Sequence, residues 1–247
     1  AISAPYPAPR QNPATIKPRN KQAVPGMNHV LPATGPPMNT SVYIIIVTYN
    51  AAQWLDLCCA PFRSLPDRWK LLIVDNASGD GTAQAARRLC PQADVIEQTS
   101  NLGFGRANNV GLDIALREGA DHILLLNQDA EMRLEDVQKI AELQRKHPEY
   151  GVISPAHYNG SGDNLDYSFA RSCLPQNCPG LMKDALSGTL HELYASTVGN
   201  AAAWMLSREC LSAVGGFNPV FFHYGEDNNY LQRLLYHGFL LGVAPHV

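Results

Sequence analysis

From Val42 onward the chain alternates short apolar runs with longer stretches of helical spacing. VYIIIV at 42–47 shows no polar alternation, so both of its faces are expected to be buried, as in a strand inside a parallel sheet. KLLIVDN at 70–76 and HILLLNQ at 122–128 repeat that form, and DVIEQ at 94–98 is a weaker version. Helical spacing fills the intervals. It runs over about 51–64, then over AQAARRLC behind the turn SGDGT at 78–82, where Asp80 or Thr82 is placed to cap. The glycine-punctuated stretch 101–120, NLGFGRANNVGLDIALREGA, reads as a loop entering a helix. LEDVQKIAELQRKHP at 134–148 is amphipathic, with Leu134, Val137, Ile140, Ala141 and Leu143 on one side.

Strands alternating with helices of this length predict βαβ units in a mostly parallel, doubly wound α/β sheet. Such sheets bind ligands beyond the carboxyl ends of their strands. Three polar clusters fall at those ends: TYN at 48–50, DN at 75–76 and NQD at 127–129. Beyond residue 150 the regularity fades. Residues 155–195 hold Gly, Pro, Asn and Asp with little period and read as a long loop region bordering the site. GFNPVFFHYGED at 216–227 then leads into a short helix, NNYLQRLLYHG, whose apolar side is Tyr230, Leu231, Leu234 and Leu235.

Composition divides the 247 residues into two regions, because half of the 18 prolines lie in the first 40 positions. That stretch has too little apolar surface to offset its ordering entropy, so 1–40 is expected to be a disordered leader or sequence added for expression, ahead of a natural start at Met27 or Met38. Residues 41–247 then form one catalytic domain. The net charge of −3, with no long basic block, argues against nucleic acid as a partner. No apolar stretch reaches the roughly 18 residues that span a bilayer, so a cytoplasmic protein is expected, with attachment to the inner face of the membrane left open. Cysteines 58, 59, 90, 173, 178 and 210 show no zinc spacing and are expected to be free thiols.

The chemistry of the polar clusters narrows the function. Asn50, Asp75 and Asn76 offer amide and carboxylate groups suited to the edge of a base. Asn101, Gly103, Gly105, Asn108 and Asn109 belong to a loop that a ligand can approach closely and that opens a helix, a favourable position for an anion. Asp129 is a hard oxygen ligand for Mg²⁺ or Mn²⁺, and the next helical pattern starts too late for it to be a cap. Asp227 is a carboxylate at a helix start, where it could equally serve the helix dipole. Asp75 could instead begin an Asx turn with Ser78 or Gly79. Trp204, Arg106, Arg233 and His223 admit ligand roles, but core or solvated positions explain them as well. The loop GFGRANN lacks the third glycine of a dinucleotide fingerprint, which sets a dehydrogenase aside.

In order, VTYN, IVDNASGDGT, NLGFGRANNVG, LLLNQDA and GGFNPVFFHYGEDNNYLQRLLYHG resemble the family 2 glycosyltransferases, in particular their bacterial rhamnosyltransferase-like branch, over about residues 42–245. The resemblance implies a GT-A-type, Rossmann-like αβα sandwich with a mostly parallel mixed sheet. It implies an inverting, metal-dependent transfer from a nucleotide-diphosphate sugar, dTDP- or UDP-linked and rhamnose-like. The acceptor would be a saccharide or lipid-linked saccharide of a bacterial surface polysaccharide. By the same resemblance Thr48, Tyr49, Asn50 and Asp75 hold the nucleoside, with Asn76, Asn101, Gly103, Asn109, Asn127 and Gln128 completing the donor site. Asp129 grips Mn²⁺ or Mg²⁺, and Asp227 is the base. Three departures stand out. Asn127 occupies the first position of the D-x-D-like signature, and Asn218 and Pro219 stand where two acids are usual. The chain also ends at Val247, before a metal-binding histidine that relatives often carry, so it is expected to be cut short there. A catalytically weak sugar-nucleotide-binding module of the same fold is the competing expectation. A nucleotidyltransferase would need a glycine-rich N-terminal loop with a basic residue.

Overall fold

The computed structural model describes residues 40–222 and 224–247. The leader expected over 1–40 therefore lies, apart from Thr40, outside the described residues, as does His223. Eight strands form one sheet in the order β3-β2-β1-β4-β7-β5-β8-β6. They are β1 (Val42–Thr48), β2 (Trp69–Asp75), β3 (Asp94–Glu97), β4 (His122–Asn127), β5 (Tyr150–Pro155), β6 (Tyr194–Ser196), β7 (Ala203–Ser207) and β8 (Leu240–Ala244). β1 runs parallel to β2 and β4, β2 to β3, and β5 to β8. Only β7, between β4 and β5, and the edge strand β6 run the other way.

The unbroken apolar runs follow from a sheet covered on both faces. Along β1, Ile44 and Ile46 pack on one side with Leu55, Phe62, Val137 and Ile140. Tyr43 and Ile45 pack on the other with Leu112, Leu211 and Leu234. The first face is covered by α1 (Leu55–Cys59), α2 (Thr82–Leu89) and α4 (Leu134–Lys146). The second carries α3 (Phe104–Arg117), α7 (Arg208–Val214) and α8 (Glu226–Tyr236). α3 lies unusually close to β1, since a Cβ on Gly111 would sit 2.7 Å from a methyl of Ile45. The αβα sandwich expected from the sequence is the observed architecture.

The structure departs from the expected elements in four places. The helix expected over 51–64 is five residues of α1 and a single 3₁₀ turn, Ala60–Phe62, because Pro61 has no N–H to continue the ladder. The 155–195 region is not structureless: it contains α5 (Tyr167–Ser172), α6 (Leu181–Ser187) and β6. Phe169, Cys173, Cys178, Leu181, Tyr194 and Val243 form a small apolar cluster of their own there. Leu235 is 42% exposed, so the inner face of α8 is Tyr230, Leu231 and Leu234 alone. AAAWML, read as an apolar run, contains the antiparallel strand β7, with Trp204 wholly buried. All six cysteines carry free, buried thiols, and burial pushes the Cys173 and Cys178 thiols up to about 11.

Candidate active site

The chain winds one way from β1 through β2 to β3, and β4 returns to the opposite side of β1. Ligand crevices of open α/β sheets form where the order reverses in this way. Thr48 lies opposite Asp75 across β1 and β2, and Val47 lies opposite Asn127 across β1 and β4. The three polar strand tips therefore begin at one level of the sheet.

At the β2 tip the Asp75 carboxylate is 2% exposed, and its orientation is fixed by three donors. Thr48 Oγ1 and Ser78 Oγ donate to its Oδ1 at 3.0 and 2.6 Å, and the Ser78 amide donates to its Oδ2 at 3.0 Å. The Asx turn admitted from the sequence is thus present, and it holds the carboxylate at the strand end. Asn50 follows β1 with φ of +49°, a left-handed position that Asn tolerates. Its N–H donates to Ser78 Oγ at 2.9 Å, and its Oδ1 accepts from the Gly79 amide at 2.9 Å. Asp80 accepts from the amides of Ala52 and Thr82 at 3.1 and 3.0 Å. The Thr82 hydroxyl also donates to Asp80, the main reason its carboxyl stays below the usual carboxylate range. Segments 50–52 and 78–82 are held together by these bonds into one wall.

The β4 tip joins the same wall through Gln128, whose Oε1 accepts from the Tyr49 amide at 2.7 Å. The amide of Gln128 is therefore committed to backbone, whereas the Tyr49 ring stands 46% exposed. Asn127 donates its amide to Ala202 O at 2.9 Å, which ties β4 to the turn entering β7. Two residues on, Asp129 is exposed, and its carboxylate has no hydrogen-bond or ion-pair partner among the described residues. Among those residues no three His, Cys, Asp or Glu side chains could hold a metal ion by themselves. A single open carboxylate nevertheless suits a hard divalent cation that takes its other ligands from phosphate and water.

The opposite wall is the loop entering α3. Asn76, 3% exposed, accepts from the Leu102 amide at 2.7 Å and donates to Asn101 Oδ1 at 2.8 Å. Asn101 Oδ1 also accepts from the Gly103 amide at 2.9 Å. Gly103 combines φ of +80° with ψ of 171°, and a Cβ there would lie 2.2 Å from the carbonyl oxygen of Phe222. The segment before α8 is thus pressed against the α3 entrance. Asn109 has a structural duty in addition to the one expected from the sequence. It donates to Phe217 O at 2.8 Å and accepts from the Phe217 amide at 2.7 Å, so it latches this segment. Arg106 donates to Pro219 O at 2.9 Å, and Arg233 donates to Val214 O and Gly216 O at 2.8 and 2.6 Å. Arg106 is exposed and Arg233 half-buried. Both hold carbonyls of the 214–219 turn.

α8 opens at Gly225, whose φ of +93° sits under Phe221. Glu226 is 6% exposed, and its Oε2 has no hydrogen-bond partner. Asp227 is half-buried, with Oδ1 accepting from the Asn228 amide at 2.7 Å. Sequence reasoning placed Ser78 in the turn after Asp75 but missed the backbone role of Gln128 and the Asn109 latch. Ser78 carried a local signal, being three residues after Asp75, and the other two carried none.

The fold and this crevice define the GT-A class, and comparisons with solved structures agree. The chain superposes on Staphylococcus aureus TarS 1–349 with a TM-score of 0.62 at 16% identity, covering 84% of this chain and 59% of that one. A mannosyltransferase from Pyrobaculum calidifontis, solved with GDP-Man and Mn²⁺, gives 0.61 at 21% identity, covering 86% and 57%. The chain thus spans under two thirds of the length of these structures. Residues 43–211 match the model of glycosyl transferase family 2, and the chain belongs to that family. Its relatives include the N-acetylglucosaminyl-diphospho-decaprenol L-rhamnosyltransferase of Mycobacterium tuberculosis, 24% identical over 82% of this chain and 73% of the relative. The dTDP-rhamnosyl transferase RfbF of Shigella flexneri is 22% identical over 85% and 68%. Asp227 lies beyond the matched segment.

Proposed function

We propose that this chain is an inverting glycosyltransferase that moves a sugar from a nucleotide-diphosphate donor to a saccharide or lipid-linked acceptor of a bacterial surface polysaccharide. The donor is dTDP- or UDP-linked and rhamnose-like, as the names of two relatives suggest. The observation that carries the reading is the open Asp129 carboxylate at the switch point, two residues beyond the β4 tip.

In this reading Asp75, oriented by Thr48 and Ser78, receives the base, with the exposed Tyr49 ring beside it. Asp129 holds Mn²⁺ or Mg²⁺, which when bound supplies positive charge against the diphosphate. Asn127 lends an uncharged amide to that corner. Asp227 takes the proton of the acceptor hydroxyl as its oxygen bonds to the anomeric carbon and the bond to the diphosphate breaks. A single displacement needs one base, because the diphosphate leaves without a protein acid. The 156–193 subdomain borders the acceptor side. Among the described residues no helix is long and apolar enough to cross a membrane. The proposal therefore places the chain in the cytoplasm, with a lipid-linked acceptor met at the inner face of the membrane.

The test is nucleotide affinity with and without Mn²⁺. UDP or dTDP should bind more tightly with the ion, and Asp129→Asn should keep the fold and lose that increment. Affinity that EDTA leaves unchanged in both proteins would refute the reading. A second reading is a module that binds sugar nucleotides and barely turns them over; Asn127, an amide at the first position of the metal signature, favours it. Measurable transfer or donor hydrolysis with Mn²⁺ decides against it.

A further inference from the structure

Two buried side-chain polar atoms among the described residues lack a hydrogen-bond partner, Trp204 Nε1 and Glu226 Oε2. They differ greatly in cost. An unpaired indole N–H loses one weak bond to water, whereas a carboxylate taken out of water without partners is among the most unfavourable groups a fold can hold. Glu226 is 6% exposed, and no hydrogen bond or ion pair reaches either of its oxygens.

Its surroundings explain part of how it is tolerated. Glu226 opens the eleven-residue helix α8, behind a glycine N-cap with no side-chain cap. It also touches the entrance of α3: a Cβ on Gly105 would lie 3.7 Å from the Glu226 Cβ. The α3 entrance likewise begins at a glycine without a side-chain cap. The uncapped first turns of two helices thus meet at this carboxylate, and their partial positive charges favour an anion. A helix dipole offers no directed bond, however, and Oε2 is still left without a donor. Phe217 and Gly105, which lie beside it at the α3 entrance, offer no side-chain donor. Such a group calls for a partner from outside the chain, whether water, an ion or a ligand.

We propose that Glu226 is a receptor for a sugar hydroxyl: a hydroxyl of the bound sugar donates to its carboxylate and supplies the bond that the empty fold lacks. This rests on the glycosyl-transfer reading and assigns the residue beside the proposed base a separate task. Consecutive helix positions point about 100° apart, so Glu226 and Asp227 engage different hydroxyls. The hydroxyl comes from the donor ring or from the acceptor ring, and the experiment separates the two.

The full chain is compared with Glu226→Gln and with Glu226→Met, which keeps the length and removes every polar atom. Melting temperature is read without ligand, where a partnerless charge is a liability. Both variants should melt higher, by about 2–8 °C. Affinities for UDP-glucose and dTDP-glucose are then set against those for UDP and dTDP, all with Mn²⁺. Separately, transfer to octyl N-acetylglucosaminide is set against hydrolysis of the donor by water. A tenfold to hundredfold loss, roughly, in the sugar-dependent part of donor affinity assigns the donor ring. A similar loss in the ratio of transfer to hydrolysis, at unchanged donor affinity, assigns the acceptor ring. Variants that melt lower, or that leave both ratios at the wild-type value, overturn the proposal and make Glu226 a partner of the helix dipoles alone. A wild-type chain that neither binds nor turns over sugar nucleotides overturns this inference together with the reading beneath it.

Discussion

Replacing Gly103 by alanine tests how the two walls of the crevice are joined. Two costs add at this position. With φ of +80° and ψ of 171° the backbone lies in a region that is essentially glycine's alone, worth about 1–3 kcal/mol to any other residue. The new Cβ would also be 2.2 Å from the Phe222 carbonyl oxygen, so backbone, not a flexible side-chain tip, has to move. Overpacking against a fixed neighbour adds about 1–3 kcal/mol. The sum, about 2–6 kcal/mol, corresponds to a fall in melting temperature of roughly 5–20 °C for a domain of this size. Gly119→Ala is the control. Its φ of +84° is similar, but nothing lies within 4 Å of its Cβ, so it carries the conformational cost without the clash. Melting followed by circular dichroism or dye binding gives the difference. If Gly103→Ala melts no lower than Gly119→Ala, the contact between the α3 entrance and the 217–225 segment is not a structural joint. The account of how α8 is positioned would then fall with it.

Asp227→Asn should retain donor affinity and melting temperature while transfer falls at least about a hundredfold, the usual loss for a general base. Equal activity, or a loss of donor affinity in place of turnover, would assign the carboxylate to the helix start. Hydrogen exchange over residues 156–193 should slow on addition of a sugar nucleotide with Mn²⁺, and identical protection in both states would separate that subdomain from the site. Acid should destabilise the fold through His122 and His157, in both of which burial holds the imidazole below its ordinary value. The unfolded chain takes up protons first, so stability present above about pH 6.5 is lost as pH falls below it. His157→Phe, which preserves the stack on Phe169 (4.9 Å between ring centroids), should flatten part of that slope in melting temperature against pH.

Much of the first half of the fold was legible because its strands announce themselves locally. A parallel strand covered on both faces must be apolar through its centre, and YIIIV of β1, LLIV of β2 and ILLL of β4 are. The polar residues at their tips could be placed for the same reason. The second half resists this reading because its pairings are distant in sequence: β7 inserts between β4 and β5, and β8 between β5 and β6. Short strands such as Tyr194–Ser196 are set by their neighbours and not by their own propensity. At the site the types of residue were readable, but their duties were not. Asn109 and Arg233 have the chemistry of ligands, yet each spends its donors on a carbonyl brought near by a chain crossing that no local pattern records.

The walls of the crevice are fastened mostly by neutral groups: Asn76 to Asn101, Asn109 to Phe217, Gln128 to Tyr49, and Asn50 to Gly79. Asp75 and Asp80 on one wall, and Arg106 and Arg233 on the other, bond to hydroxyls, amides or carbonyls in place of counter-charges. Added salt screens charge–charge attraction and leaves such fastenings almost untouched. Ionic strength should therefore act on this protein through the charges of whatever enters the crevice, and hardly through the shape of the crevice itself.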